Sequence, residues 1–137
     1  MTRKPRAFVL DSWAIMAYLE GEPAAERVAN LIADSNEANI PLLISIVNFG
    51  EIWYIVARRT SEADAERTTL ELRQLGIKIV DINWELTREA AKLKAKHKMS
   101  YADSFAAALA KQESAHLVTG DPEFAQVAQE IQITWLK

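Results

Sequence analysis

The sequence predicts an α/β fold in which a five-stranded parallel sheet lies between layers of helices. Short apolar runs alternate with helical patterns along the whole chain, and parallel strands need such crossover connections. The length of 137 residues is enough for one domain and its core, so we expect a single domain over residues 1–137. Half of the residues are hydrophobic and 26% are charged, which is ordinary globular composition.

The first half of the chain predicts two strands and three helices. The apolar run 7–10 (AFVL) predicts a strand and is followed directly by Asp11. The helical pattern SWAIMAYLEG comes next. After Pro23 an amphipathic stretch continues to about Asn36. Residues 40–45 (IPLLIS) predict a second strand, and Ile46–Arg59 predicts a long apolar helix.

The second half predicts four helices and three strands. Ser61 caps a helix that stops at Gly76, Ile77–Val80 is a strand, and Asn83 opens a helix to about His97. Ser100 caps a helix over residues 101–113, and His116–Thr119 is the fourth strand. A last helix over about 122–129 precedes the fifth strand at 131–135.

Composition excludes several classes of site. The chain has no cysteine, which rules out disulfides, thiolate chemistry and cysteine-based zinc sites. Asp11 interrupts the apolar N-terminal stretch, and no apolar run approaches membrane-spanning length, so we expect a mature cytoplasmic protein with no membrane partner. A net charge of −3 argues against nucleic-acid binding through bulk positive charge.

Four acids interrupt apolar elements: Asp11, Glu51, Asp103 and Asp121. Ligands of parallel α/β folds bind outside the carboxyl ends of the strands, where Asp11 and Asp121 both fall. Glu51 is the only charged residue in the segment ISIVNFGEIWYIVA, and glutamate is rarely buried without a partner. One site for a divalent cation such as Mg²⁺ explains all four positions, because hard cations prefer carboxylate oxygens.

Each acid also has a purely structural interpretation. Asp11 and Asp121 can cap the helices that follow them, and Asp121 precedes a proline. Glu51 can share a polar stripe with Asn48, and Asp103 can form a capping box with Ser100. Capping and ligation are compatible, since a capping carboxylate keeps a second oxygen.

The strings FVLDS, SIVNFGEI, YADSFAAALA and LVTGDPEF resemble, in order and spacing, a PIN-domain ribonuclease of the VapC toxin type. The resemblance covers nearly the whole chain and implies the PIN-like five-stranded parallel sheet. It also implies that Asp11, Glu51, Asp103 and Asp121 are catalytic acids that bind Mg²⁺ or Mn²⁺ to cut RNA. The accessory residues it implies are the hydroxyls of Thr119 and Ser12. Asn48, on the polar stripe of the Glu51 helix, is a candidate partner of Glu51. Trp13 departs from the smaller residue common there, and we expect it to alter the pocket wall without removing a ligand.

The resemblance further implies an RNA substrate, a homodimer and a cognate VapB-like antitoxin bound through apolar surface of the early helices. Without the four acids the rest of the chain carries a charge of +1, so local cations suffice for RNA contact. The candidates for that contact are Arg58, Arg59, Arg88, Lys92, Lys94, Lys96 and Lys98. Their alternative role is a solvated helix face, because alternating lysines cannot all point one way. We interpret His97 and His116 as structural.

The leading prediction is therefore a metal-dependent endoribonuclease that acts as the toxin of a toxin–antitoxin pair. A housekeeping RNA-processing nuclease of the same fold is the enzymatic alternative. A non-catalytic interaction module, in which the acids are only caps, is the other.

Overall fold

The computed structural model describes residues 5–137. The basic start of the chain, at Arg3 and Lys4, and the first residues of the predicted domain 1–137 lie outside them. The strands are β1 (Phe8–Leu10), β2 (Leu42–Ser45), β3 (Ile77–Val80), β4 (His116–Thr119) and β5 (Gln132–Trp135). The helices are α1 (Ser12–Leu19), α2 (Ala25–Glu37), α3 (Ile46–Arg59), α4 (Glu62–Gln74), α5 (Trp84–Lys96) and α6 (Tyr101–Gln112), and a 3₁₀ helix spans Pro122–Val127.

The five strands form one all-parallel sheet in the order β3-β2-β1-β4-β5. Strand β1 lies in the middle, with Val9 opposite Leu43 of β2 and Leu117 of β4. The predicted α/β fold with a five-stranded parallel sheet is confirmed. Because strand order reverses beside β1, the carboxyl ends of β1 and β4 meet where such folds place their ligands.

Local sequence sets where the helices begin. The side chains of Asp11, Ser45, Ser61, Asn83 and Ser100 each accept a backbone N–H of the first turn of the helix that follows. Four of these caps were predicted from the type of the capping residue and the apolar pattern that follows it. The cap at Ser45 was not predicted.

Several helices and strands begin or end at other residues than the sequence predicted. The last helix is a 3₁₀ turn that stops at Val127, where an α-helix to about 129 was predicted. Helix α1 ends at Leu19 and Gly21 adopts a φ of +64°, which glycine accepts without steric cost. Strand β2 starts at Leu42, two residues later than predicted, because Pro41 has no N–H for the ladder.

Two apolar clusters cover the two faces of the sheet. On one face α6 lies against β1 and β4, and all residues from Ser104 to Ala110 are buried. On the other face α1 and α2 pack over Leu10, Ile44 and Val118. None of the helices within residues 5–137 is long and apolar enough to cross a bilayer.

Candidate metal centre

The predicted acids come from four elements that meet at the carboxyl edge of the sheet. Asp11 directly follows β1, and Asp121 follows the neighbouring strand β4 after one glycine. Asp103 lies in the first turn of α6, which packs against β1, and Glu51 lies in the second turn of α3. Parallel topology therefore brings residues that are distant in sequence to one end of the molecule.

Asp11 is buried, and hydrogen bonds engage both of its carboxylate oxygens. Oδ1 accepts the backbone N–H of Ala14 at 2.8 Å, which is the predicted helix cap. Oδ2 accepts the hydroxyl of buried Thr119 at 2.5 Å, and the same hydroxyl oxygen accepts the N–H of Asp121 at 3.0 Å. Thr119 thus connects the two strand-end aspartates, at the position predicted for an accessory hydroxyl.

Glu51 is held by Asn48, one helical turn earlier on α3. Asn48 is fully buried; its Nδ2 donates to Glu51 Oε1 at 3.0 Å and to the carbonyl of Ala102 at 3.1 Å. The hydroxyl of Ser45 donates to Asn48 Oδ1 at 2.6 Å. Asn48 therefore fixes the Glu51 helix to the residue that precedes Asp103.

We expect Asn48→Ala to destabilise the protein by roughly 1–3 kcal/mol, since it leaves the part-buried Ala102 carbonyl and the buried Ser45 hydroxyl without their partner. Denaturant unfolding measures the change. Asn36→Ala is the matched control, because it removes a single exposed hydrogen bond to the Leu75 carbonyl. Equal losses in the two variants would contradict a special role of Asn48 in holding α3 to α6.

Asp103, Asp121 and Glu123 form the tightest acidic group. One carboxylate oxygen from each lies within 4.8 Å of the other two. Glu123 was not predicted, although it stands two residues after Asp121 in the string GDPEF. The short 3₁₀ turn, in which Asp121 accepts the N–H of Glu123, brings it to the site. Asp11 and Glu51 do not belong to this group, although the charges of Asp103 and Asp121 act on Asp11 and the charge of Glu51 acts on Asp103.

Burial and mutual repulsion make this site unfavourable for negative charge. Burial raises the pKa of Asp11 to about 7, against the opposing effect of its hydrogen bonds from Thr119 and Ala14. Burial, followed by the negative charges of Asp121 and Glu51, raises the pKa of Asp103 to about 6. Burial and the neighbouring carboxylates thus oppose ionisation of both aspartates, and a cation bound between them would favour it.

The donor set fits a hard divalent cation. Across residues 5–137, no salt bridge involves Asp11, Glu51, Asp103, Asp121 or Glu123. Carboxylate oxygens are the ligands that Mg²⁺ and Mn²⁺ prefer, and the positive charge of either ion would relieve the repulsion that raises the pKa of Asp103. The residues present therefore suit such an ion, with Asp103, Asp121 and Glu123 nearest to one another.

Trp13 packs against Gly120, the residue before Asp121. Its six-membered ring lies so close to Gly120 that a Cβ there would overlap three ring carbons. Glycine is therefore the residue that the backbone before Asp121 can accommodate. Ser12, between Asp11 and Trp13, is half-buried at the first position of α1.

Many of the predicted RNA-contacting cations have partners within the protein. Arg59 pairs with Glu20, and Lys92 pairs with Glu89 at 3.3 Å. Lys94 donates to the Met99 carbonyl. Arg58 lies over the ring of Tyr54. Lys92, Lys96 and Arg88 line a cleft together with Glu85, Glu89 and Glu130. This surface has mixed charge, and its contact with RNA remains a prediction.

Both histidines have structural surroundings. His97 Nε2 lies 3.2 Å from Glu130, and His116 Nδ1 lies 3.4 Å from the hydroxyl of Thr134. The ring of His116 also packs edge-on against Phe8.

Fold and site together define an α/β protein with a cluster of acids at the carboxyl edge of a parallel sheet. The family model of the PIN domain matches residues 8–130. This chain therefore belongs to the PIN-domain family, as its sequence motifs indicated. No curated protein matches the sequence.

Solved structures with this fold include toxin–antitoxin proteins. A chain of a toxin–antitoxin complex from Klebsiella pneumoniae is 18% identical, with a TM-score of 0.71 and coverage of 96% of this chain and 98% of that one. A chain of DNA-bound VapBC from Salmonella typhimurium is 14% identical, with a TM-score of 0.75 and the same coverages. VapC20 of Mycobacterium tuberculosis, a toxin that cleaves the sarcin–ricin loop, is 17% identical, with a TM-score of 0.71 and coverages of 88% and 95%.

Proposed function

We propose that this protein is a metal-dependent endoribonuclease that hydrolyses phosphodiester bonds of RNA. The observation that carries the proposal is the convergence of Asp11, Asp103 and Asp121 with Glu51 and Glu123 at one edge of the sheet, without a cation partner among the described residues. Membership of the PIN family supports a nuclease.

The acids divide into two sets by their contacts. Asp103, Asp121 and Glu123 present oxygens to a shared point and would hold Mg²⁺ or Mn²⁺ directly. Asp11, fixed by Thr119 and Ala14, would add negative charge from the buried side of the site. Glu51, oriented by Asn48, would position the attacking water or help to hold a second ion.

A bound ion would lower the pKa of a water molecule and neutralise charge on the phosphate. In the proposed reaction a water attacks the phosphorus, the bond from phosphorus to the 3′ oxygen breaks, and that oxygen leaves as a 3′-hydroxyl after taking up a proton. The products are therefore a 5′-phosphate and a 3′-hydroxyl. Thr119 and Ser12 would serve as accessory hydroxyls of this site, and the hydrogen bonds of Thr119 hold Asp11 and the Asp121 backbone in fixed relation.

The fold similarity to chains of toxin–antitoxin complexes supports a role as the toxin of such a pair. In this proposal a VapB-like antitoxin binds the chain and suppresses its activity, the enzyme is a homodimer, and both act in the cytoplasm. The proposed contact surface for the antitoxin lies on α1 and α2, where Trp13, Met16 and Leu31 are partly buried.

Metal addition tests the proposal. We expect millimolar Mn²⁺ or Mg²⁺ to raise the thermal midpoint of the protein, because a ligand that binds the native state stabilises it. The same ions should permit cleavage of single-stranded RNA to 5′-phosphate ends, and EDTA should abolish both effects. If metal neither shifts the midpoint nor permits cleavage, the acids are helix caps of an interaction module.

A further inference from the structure

Helix α3 turns an apolar face outward. Of its 14 residues only Asn48 and Ile52 are buried, although most of the helix is apolar. A surface helix usually directs its apolar residues to the core and its charged residues to water. On α3 the outward side is apolar as well, with Ile46 41% exposed and Tyr54 44% exposed. Exposed apolar surface of this kind indicates a site of protein contact.

The outward residues of α3 follow a heptad spacing. Four uncharged residues, separated in turn by four, three and four positions, lie on one line along the helix. These residues, which define the α3 seam, are Ile46, Gly50, Trp53 and Ala57. The charged residues Glu51, Arg58 and Arg59 lie off this line. A second helix can therefore pack on the α3 seam without burying a charge.

Large and small side chains alternate along the α3 seam. A Cβ at Gly50 would meet no atom within 4 Å, so the space outside this glycine is open. Beside it, the side chain of Trp53 is half-buried, and its Nε1 donates to Glu66 Oε1 of α4 at 2.9 Å. This hydrogen bond holds the indole in place. The α3 seam thus presents a fixed large side chain next to an unfilled hollow.

Two copies of the α3 seam fit one another when the two helices run antiparallel. A two-fold axis midway between Glu51 and Ile52 places Gly50 opposite Trp53 of the second copy. The same axis places Ile46 opposite Ala57, so each large side chain faces a small one. In a parallel pair like residues would face each other, and two tryptophans would then occupy one position while two glycines left a gap.

We propose that a second copy of this chain docks on the α3 seam, antiparallel about this two-fold axis. The inference rests on the homodimer of the proposed function and names its interface. A second copy suits this surface because a two-fold contact must be complementary to itself, and the α3 seam is uncharged and matches large residues with small ones. Since α3 also carries Glu51, the pairing would hold the helix that brings one acid to each site.

Gly50→Lys tests the surface. Lysine is a better helix former than glycine and the space around Gly50 is open, so the variant should fold with an unchanged or higher thermal midpoint. In the dimer, however, two lysines would meet near the axis. We expect the wild type to be a dimer in size-exclusion chromatography with light scattering, and the dissociation constant of Gly50→Lys to rise by about a hundredfold or more.

The control for this variant is Trp84→Lys on α5. It introduces the same charge and removes an apolar side chain that is 68% exposed, but it lies on a different helix. Trp84→Lys should remain a dimer at the concentration at which Gly50→Lys is a monomer. Circular dichroism and the thermal midpoint check that both variants fold. Dissociation by Trp84→Lys, with Gly50→Lys still a dimer, would place the interface on α5 and overturn the inference.

Cysteine variants test the antiparallel arrangement, because the chain has no cysteine of its own. Two copies of Gly50→Cys would lie near the axis, within the roughly 7 Å between Cα atoms that a disulfide spans. Two copies of Ala57→Cys would lie about 16 Å apart along the helix axis. We expect oxidation to link Gly50→Cys and the double variant Ile46→Cys/Ala57→Cys into covalent dimers, but not Ala57→Cys alone. A link in Ala57→Cys alone would overturn the antiparallel pairing.

The interface and the nuclease can fail separately. A monomeric wild type, or a Gly50→Lys variant that stays dimeric, overturns the interface, whereas metal binding and RNA cleavage by the wild type still decide the nuclease. If Gly50→Lys dissociates the dimer and the wild type neither binds metal nor cleaves RNA, the interface stands and the nuclease is rejected.

Discussion

Asp121→Asn and Asp11→Asn are each expected to reduce metal-dependent RNA cleavage by more than about a hundredfold. Residues that merely orient a metal ligand already contribute about 10–100-fold, so removal of charge at the acids themselves should exceed that effect. The amides keep the shape of the carboxylates and can still accept the capping N–H of Glu123 or Ala14. Initial cleavage rates with Mn²⁺, together with relief of growth inhibition in cells, measure the loss.

The matched control for these variants is Asp34→Asn on α2, which changes an exposed aspartate outside the acidic group. It should keep the wild-type cleavage rate, and all three variants should keep the circular dichroism spectrum of the wild type. Full activity of both Asp11→Asn and Asp121→Asn would reject the assignment of the metal centre.

The metal-free protein is expected to lose stability as the pH rises from 5 to 8. The pKa of Asp11 is about 7 in the folded protein against 3.8 for an ordinary aspartate, so the folded state binds this proton more tightly than the unfolded chain does. The resulting stabilisation is complete below about pH 4 and is lost as the pH rises through 7. For Asp11 alone the change from pH 5 to 8 is roughly 3 kcal/mol, and Asp103 acts in the same direction.

Urea unfolding in EDTA at pH 5, 6, 7 and 8 measures this dependence. This range lies above the titration of Asp64, whose pKa is lowered by hydrogen bonds with Thr60 and Arg67. Asp11→Asn should flatten the profile and make the metal-free protein more stable than wild type at pH 8, whereas Asp34→Asn should not. Millimolar Mg²⁺ should also flatten the wild-type profile. Identical slopes for wild type and Asp11→Asn would show that Asp11 does not carry the effect.

The two interpretations of the acids prove compatible in the structure. Asp11 and Asp121 are helix caps, as the local pattern predicted, and they also lie at the shared edge of the sheet. The cap uses one oxygen, and the other oxygen of Asp11 receives the hydroxyl of Thr119. Thus the structural explanation of a residue does not exclude its functional one.

Several contacts of the site had no signal in the sequence. Asn48 bonds to the carbonyl of Ala102, which is 54 residues away, and nothing local indicates that pairing. The sequence around Glu123 indicates only an acid in the first turn of a helix. The geometry of the 3₁₀ turn brings Glu123 close to Asp103. The sequence predicted a long apolar helix at α3, yet only Asn48 and Ile52 are fully buried on it.

By itself the sequence determined the order of the strands and helices along the chain, most of the caps that start the helices, and the strand-end positions of Asp11 and Asp121. These features depend on interactions among residues a few positions apart, which periodicity and residue type encode directly. Only the tertiary structure decided that β1 and β4 are neighbours, that Trp13 covers Gly120 and that Asp11 is buried. Burial and proximity are produced by the packing of the whole chain, and so is the desolvation that raises the pKa of Asp11.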